Sequence, residues 1–478
     1  VAKIIIFAVI LAAATVGLVY VAGKITGSLF ESSEKRIAQK RESPAEKPTS
    51  EKQSERPQPY KKPVTGESGK TEQAGGASES KSGQEFPPVD PNSPAAPYLE
   101  AFKLMVRPTD EQKSLMWKVI DEGWNEEYPE LVKLLEANRE ALLKLKAAIA
   151  RGDCYFPAPE DSTALEPTLQ CLGPSSTMAQ LLALETRFLE KEGDFEKAAR
   201  NVADGIKFSQ DVAGKGPIIS DLIGLGIESI FIRMVKKEVC RESVNLNLCR
   251  ALKDTFYQPE RIQERTEEAL NAEEAFGKRE IAKLPSKSEE EMRLFSGVVS
   301  DAQSSIADYY IDSCIDSMTV EKFSNLCDQY LGELRGALQE GLFSALKKAT
   351  ELDKRAQEQA KSKEQAEMLL GLTTPAYQRC IQGIAYFAAD YEMARTGLGL
   401  ELYAAENGNY PESLSELVPR YLSSVPIDPF SGEVLKYAKS ERGWRIYSFG
   451  PDMDDDNGEK EKHQGGHGWD YDMILRKK

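Results

Sequence analysis

The sequence predicts a mainly α protein with a small α+β module at its carboxy end. Three observations carry this. Long stretches between residues 98 and 372 place apolar residues three and four apart. Between residues 31 and 96 large apolar residues are nearly absent. After Pro375 the pattern changes to one long helix followed by short alternating runs and turn residues. At 478 residues the chain is long enough for several folded units. We divide it into a transmembrane anchor (1–24), a mixed-charge linker (25–96), an α-helical bundle or solenoid-like body (97–374) and a carboxy-terminal α+β module (375–478).

The first element is "IIIFAVILAAATVGLVYVA", Ile4 to Ala22, which carries no charge. At about 1.5 Å per residue it just spans a hydrocarbon core of about 30 Å. A cleavable signal peptide with a small-residue site at Ala12–Ala14 is the rival reading. The hydrophobicity runs on past that site, so an uncleaved anchor is expected. The short flank before it predicts a single pass with the bulk of the chain outside the cytoplasm. The linker that follows is rich in Glu, Lys, Ser, Pro and Gly. It cannot bury enough surface to offset its ordering entropy, and as a flexible coil it spans roughly 45 Å.

The body opens with helical spacing over 128–150, where Leu131, Leu134, Leu135, Leu142, Leu143 and Leu145 recur on one face. "RGDCYFPAPED" interrupts it, and "LGPSS" predicts a fresh helix start near Ser175. A helical hairpin follows with its turn at Gly193-Asp194, and Ala198, Ala199 and Ile206 face back across it. "EGDFEKAA" resembles the turn of a tetratricopeptide hairpin, but no repeat of about 34 residues continues on either side. "PIISDLIGLGIESIFIRMV" (217–235) is almost wholly apolar, interrupted by Asp221, Glu228 and Arg233. A buried core helix with a polar stripe is the expected reading, with a second membrane span as the alternative. A charged helix is predicted over 256–295 and a long surface helix over 343–370. Glu268, Glu273 and Glu274 suggest a carboxylate pair of the hydrolytic kind, against the commoner reading of a solvated face.

The net charge is −16, which argues against a nucleic-acid partner. The chain has two His, His463 and His467, so Ser-His-Asp, Cys-His and multi-His metal chemistry in the body is excluded. Seven Cys include no C-x-x-C. Six fall into local pairs, Cys154/Cys171, Cys240/Cys249 and Cys314/Cys327, which an oxidising compartment would bridge. Cys380 is left as a core thiol.

The carboxy-terminal module has a long helix through Tyr403, a turn and short helix over "NGNYPESLSELV" with Glu412 or Ser413 at its cap, and a turn at Asp428–Gly432. "ERGWRIYSFGPD" reads as a return strand and "WDYDMILR" as a last one. Between them lies "YSFGPDMDDDNG". Counted from Asp452, Asp454 and Asp456 fall at the third and fifth positions of a calcium loop. The sixth is Asn457 where a Gly is needed and the twelfth is His463 where a bidentate Glu is needed, so an EF-hand is rejected. Other oxygen-ligand sites stay open.

Asn409-Tyr410-Pro411, Leu414, Leu417-Val418-Pro419, Tyr421-Leu422, Pro426, Asp428-Pro429-Phe430, Gly432, Tyr437, Tyr447-Ser448, Gly450-Pro451-Asp452 and the closing Asp470, Asp472 and Ile474 form one ordered string. It resembles the soluble head of the major, G-type pseudopilins of type II secretion, over about the last 100 residues. The resemblance implies a structural calcium ion held by Asp452 and by Asp470 or Asp472, with Asp454 and Asp456 as added candidates. It departs from the family where "EKEKHQGGHG" lengthens the loop, and where His463 and His467 offer a softer donor set within a Gly-rich stretch. It also departs in layout, because a pseudopilin runs its apolar helix straight into the head. Here a linker and a helical body intervene, so the head is expected to be reused on another chassis.

These readings converge on a non-enzymatic scaffold or interaction protein of the bacterial inner membrane, facing the periplasm. Its protein partners would lie in the envelope, with secretion or pilus-like machinery as the class the resemblance implies. The alternative is a periplasmic carboxylate-dependent hydrolase, or a peptide- or polymer-binding protein using the helical body. Trp117, Trp124 and Tyr128 are the candidate aromatic lining of a binding groove.

Overall fold

A computed structural model describes residues 91–156, 162–281, 317–359, 375–440, 443–458 and 473–477, with 361, 362, 364, 366, 367 and 370 between them. The anchor segment, nearly all of the linker, Cys314, His463, His467, Asp470 and Asp472 lie outside these residues. Among them the chain is mainly α, with twelve helices and one three-stranded antiparallel sheet near the carboxy end.

Chain order begins with α1 (Ala96–Leu104), α2 (Asp110–Glu122), α3 (Pro129–Ala137) and α4 (Arg139–Arg151). A Thr109–Gln112 capping box starts α2, each side chain accepting from the other's backbone N–H. The helix expected over 128–150 is two, broken at Asn138. That residue is fully buried, donates its amide to the Val106 and Leu134 carbonyls and accepts from the Val106 N–H. A buried amide spent on a neighbouring loop outweighs the helical spacing around it.

The hairpin of α5 (Ser162–Lys191) and α6 (Phe195–Ala213) turns at Gly193, φ 80°, with Asp194 accepting from the Lys197 N–H at the start of α6. Ala198, Ala199 and Ile206 are buried, as the spacing predicts. The restart expected near Ser175 does not occur, and α5 runs unbroken through Gly173 and Pro174. Ser175, Met178, Ala179 and the run Leu181 to Leu184 of this helix are buried, and that packing overrides the local breaker signal.

Next comes α7 (Ile218–Val239), mostly buried, with Gly226 and Lys237 exposed, and packed on α2, α5 and α6. No helix among the described residues is long and apolar enough to cross a membrane. The α6–α7 approach is close because two glycines permit it. A Cβ on Gly205 would lie 2.2 Å from the Phe231 ring, and one on Gly224 would lie 2.6 Å from the Ser209 carbonyl oxygen. The remaining helices are α8 (Leu246–Phe256), α9 (Ile262–Ile281), α10 (Ser317–Gln339), α11 (Leu342–Gln359) and α12 (Pro375–Asn407). The stretch expected as a surface helix buries Ala345, Leu346, Ala349, Leu352 and Ala356 of α11.

The long α12, about 50 Å at 1.5 Å per residue, lies inside the body. It packs on α7, α8 and α11 and also carries the sheet. One buried cluster therefore runs from Ala95 to Leu475. Strands β1 (Lys436–Lys439), β2 (Trp444–Ser448) and β3 (Met473–Lys477) pair antiparallel in that order, with Trp444 opposite Lys477. Two carboxylates set this module. Glu401 of α12 accepts from the Trp444 indole at 2.8 Å, the Tyr410 hydroxyl at 3.1 Å and Lys477 Nζ at 2.6 Å. Asp428, buried in the turn before β1, accepts from the Phe430 and Phe449 N–H groups and the Ser431 and Ser448 hydroxyls.

Five described cysteines, Cys154, Cys240, Cys249, Cys327 and Cys380, are free thiols. The expected Cys240–Cys249 bridge is absent. Burial pushes the Cys240 thiol up to about 11 and Cys249 to about 12, so both stay protonated at neutral pH.

Removing the Glu401 carboxylate leaves a largely buried ammonium and an indole N–H without their acceptor. Glu401→Ala is expected to destabilise the protein by about 3 kcal/mol. A lowered urea midpoint checks this, and Glu401→Gln should lose less because an acceptor oxygen remains.

Candidate functional site

The calcium candidates occupy the loop after β2. Asp452 and Asp456 are half-buried and Asp454 is exposed. The loop keeps its shape with Met453 and Asn457 at positive φ, and its carboxylates cap nearby backbone. Asp452 accepts from the Asp454 N–H, Asp454 from the Asp455 N–H, and Asp455 from the Asn457 N–H and the Tyr447 hydroxyl. The donors are hard oxygens, which suit calcium. Among the described residues, though, no group of three or more His, Cys, Asp or Glu is placed to hold a metal ion.

The aromatic candidates do not form an open groove. Trp124 meets Tyr128 and Phe188 edge-on, with ring centroids 5.9 Å and 5.3 Å away. Arg233 lies over Trp117, Lys191 over Trp124 and Lys118 over Tyr128. These rings are wall material with cations resting on their faces.

The three glutamates of α9 go to three different places. Glu274 faces α10 and pairs with Lys278 at 2.6 Å and Arg335 at 2.5 Å. Glu273 is buried at the first turn of α7, accepting from the Ile218 N–H at 3.3 Å and the Tyr377 hydroxyl at 3.4 Å. Burial holds its carboxyl up at about 7, and the two donors offset only part of that. Glu268 is exposed and lines a cavity. A catalytic pair drawn from these three is not assembled.

That cavity, of about 420 Å³, lies between α7, α9 and the segment leading into α9. Asp221, Glu260, Glu264, Arg265, Glu268 and Tyr391 line it. At its back, Arg265 of α9 binds three carboxylates: Asp221 at 2.9 Å and Glu228 at 3.0 Å, both from α7, and Glu260 at 3.1 Å. Glu228 also accepts from the Ser209 hydroxyl of α6 at 3.0 Å. Burial raises the Asp221 carboxyl, Arg265 pulls it down, and Glu268 pushes it up again. Burial and Glu260 raise Glu228 against the pull of Arg265. One oxygen on each of these two acids, Asp221 Oδ2 and Glu228 Oε1, has no hydrogen-bond partner.

Spacing alone did not single out Arg265, Glu260 or Tyr391. The available signal was the pair Asp221 and Glu228 inside the most apolar stretch of the body. Two buried acids two turns apart on one helical face require a cation from elsewhere, and the charged helix α9 supplies it.

No family model matches the chain, and neither the curated proteins nor the solved structures contain a match to it. Function is therefore argued from the site and the architecture.

Glu273 has a raised folded-state pKa, so the native state binds more protons than the unfolded one between about 4.5 and about 7. Its contribution to stability falls as pH rises through that window, and the cost is fully present above it. Glu273→Gln should remove on the order of 3 kcal/mol of this loss. Relative to the parent, it should gain stability at pH 8 and not at pH 4, as read from paired urea titrations.

Proposed function

We propose that this chain is a scaffold or interaction protein of a bacterial inner membrane. The apolar segment 4–22 anchors it, residues 25–96 form a leash, and the folded part from Ala96 onward works in the periplasm. The observation that carries this reading is the course of α12. The helix that bears the carboxy-terminal sheet is also a central helix of the body, so both act as one solid unit. A preformed surface on a long leash docks with little ordering cost and a wide reach, as a tethered binding protein requires.

The segment that resembles a G-type pseudopilin head contributes a turn, a short helix and an antiparallel hairpin in the order the resemblance implies. This supports envelope machinery of the secretion or pilus kind as the class of partner. A calcium ion in this reading would be held by Asp452 with Asp470 or Asp472, joined by Asp454 and Asp456. It would neutralise the crowded carboxylates of the loop.

The hydrolase reading draws less support. A general acid must aim its proton into the cavity, whereas Glu228 is behind the cavity wall and is held by Arg265 and Ser209. The acid-lined cavity favours ligand binding by the helical body as the second reading.

Two measurements test the proposal. Protease added to spheroplasts that express the full chain should cut the leash and release a resistant fragment beginning near Ala96. A chain protected until the spheroplasts are lysed would place the body in the cytoplasm and end the reading. For the ion, calcium should raise the melting temperature of the full chain and a chelator should reverse the rise. Asp452→Ala should abolish the response, and a parent melt indifferent to calcium removes the ion from the proposal.

A further inference from the structure

One guanidinium holds three carboxylates where α7 meets α9, and two of them compete for the same nitrogen. Arg265 Nη1 donates to Glu228 Oε2 at 3.0 Å and to Glu260 Oε1 at 3.1 Å, while Nη2 donates to Asp221 Oδ1 at 2.9 Å. The Glu228 side chain is wholly buried, and those of Asp221 and Glu260 are 4% and 8% exposed. Ser209 of α6 adds a neutral donor to Glu228, and Gln210 adds one to Glu260. Glu228 Oε1 has no donor. A carboxyl so placed costs less as a neutral acid than as an anion. The other elements packed on α7 do not supply the missing positive charge. From α12 come Tyr391, near Glu228 and Glu260, and Cys380, near Asp221, both kept neutral by burial. Arg395 of α12 is paired with Glu392 of the same helix. From α2 and α5 come Asp121 and Arg187, which face Arg233 further along α7. Glu268 of α9 adds a second negative charge near Asp221. Among the described residues, Arg265 is the one cation paired with Glu228.

Glu260 stands in the short segment 257–261 between α8 and α9. The Tyr257 hydroxyl donates to the Pro419 carbonyl at 2.7 Å, and the Tyr257 carbonyl accepts from the Ser423 N–H at 3.0 Å. The Gln258 carbonyl accepts from the Tyr391 hydroxyl of α12 at 3.3 Å. This segment therefore joins the helical body to the carboxy-terminal module. We propose that the Arg265 hub is a proton-operated clasp: it retains one proton shared between Glu228 and Glu260 while the segment 257–261 is closed on α7, and loss of that proton loosens the segment. Once Glu228 is ionised it takes the larger share of Nη1, and Glu260, the less buried acid, shifts toward water with its segment. Burial and the Glu260 carboxylate push Glu228 up to about 8, against the pull of Arg265 and Ser209. The folded-state value lies above the unfolded one, so the native state carries the extra proton between about 4.5 and about 8. The stabilisation that the proton brings is complete below this window and is lost as pH rises through it.

Urea titrations of the full chain in detergent at pH 6 and pH 9 test this, with the parent beside Glu228→Gln. The fall in the folded-to-unfolded ratio between those two pH values should be about tenfold or more smaller in Glu228→Gln than in the parent. Hydrogen exchange over residues 257–261, corrected for the intrinsic effect of pH, should accelerate in the parent between pH 7 and pH 9 and stay level in Glu228→Gln. Glu260→Gln changes a less buried position and gives an independent reading should Glu228→Gln fail to fold. It removes the competing charge, so the stability step should move down by about one pH unit or more. A fall of equal size in the parent and Glu228→Gln, or a step that stays in place in Glu260→Gln, would overturn the proposal. So would exchange over 257–261 that ignores pH while the protein loses stability.

Discussion

The structure rests on the need to neutralise charge inside α7. This helix is mostly buried, and its ionised side chains still require partners. Each partner comes from a different element: Asp121 of α2 for Arg233, Arg265 of α9 for Asp221 and Glu228, Asp390 of α12 for Lys236, and Arg241 beyond its end for Glu238. Glu238 also accepts from the Asn245 N–H at the start of α8. Apolar packing alone would let neighbouring helices slide or rotate at little cost. The pairs of Arg265 with the buried acids Asp221 and Glu228 fix that register, because a mismatched pair leaves a charge stranded in the interior.

Similar anchoring extends from α12 into the carboxy-terminal module. Glu401 ties one helix to β2, β3 and the Tyr410 loop, while Asp428 closes the turn before β1 onto the end of β2. Gly397 lets the sheet sit close to the helix, since a Cβ there would lie 2.8 Å from Val239 and 3.1 Å from Trp444. The ordered motif around "DPF" and "YSFGPD" thus has a structural meaning that needs no metal. It places one carboxylate where four donors from two segments converge.

The cavity is a consequence of the same scheme. To bring Arg265 to the acids of α7, α9 must turn a face toward the core, and that face also carries Glu264 and Glu268. A single guanidinium cannot answer every carboxylate gathered there. The surplus negative charge at the mouth and the unpartnered oxygen of Asp221 follow from one cation holding the helices together.

Much of the fold was legible in the sequence, because the hydrophobic period is local information. The helical body, the hairpin at Gly193-Asp194, the buried character of 217–235 and the short strands after Asp428 all follow from spacing and turn residues. The break at Asn138 and the unbroken course through Pro174 were not legible, since each is decided by what packs against the segment. The free state of Cys240 and Cys249 likewise depends on where the two side chains lie in the fold. The same limit held for the site. The sequence alone showed two acids inside an apolar helix and thereby a need for compensation. Only the tertiary structure selected Arg265, from dozens of Lys and Arg, and left Asp221 and Glu268 facing one cavity, because charge pairing across the core is set by distance in space and carries no period along the chain.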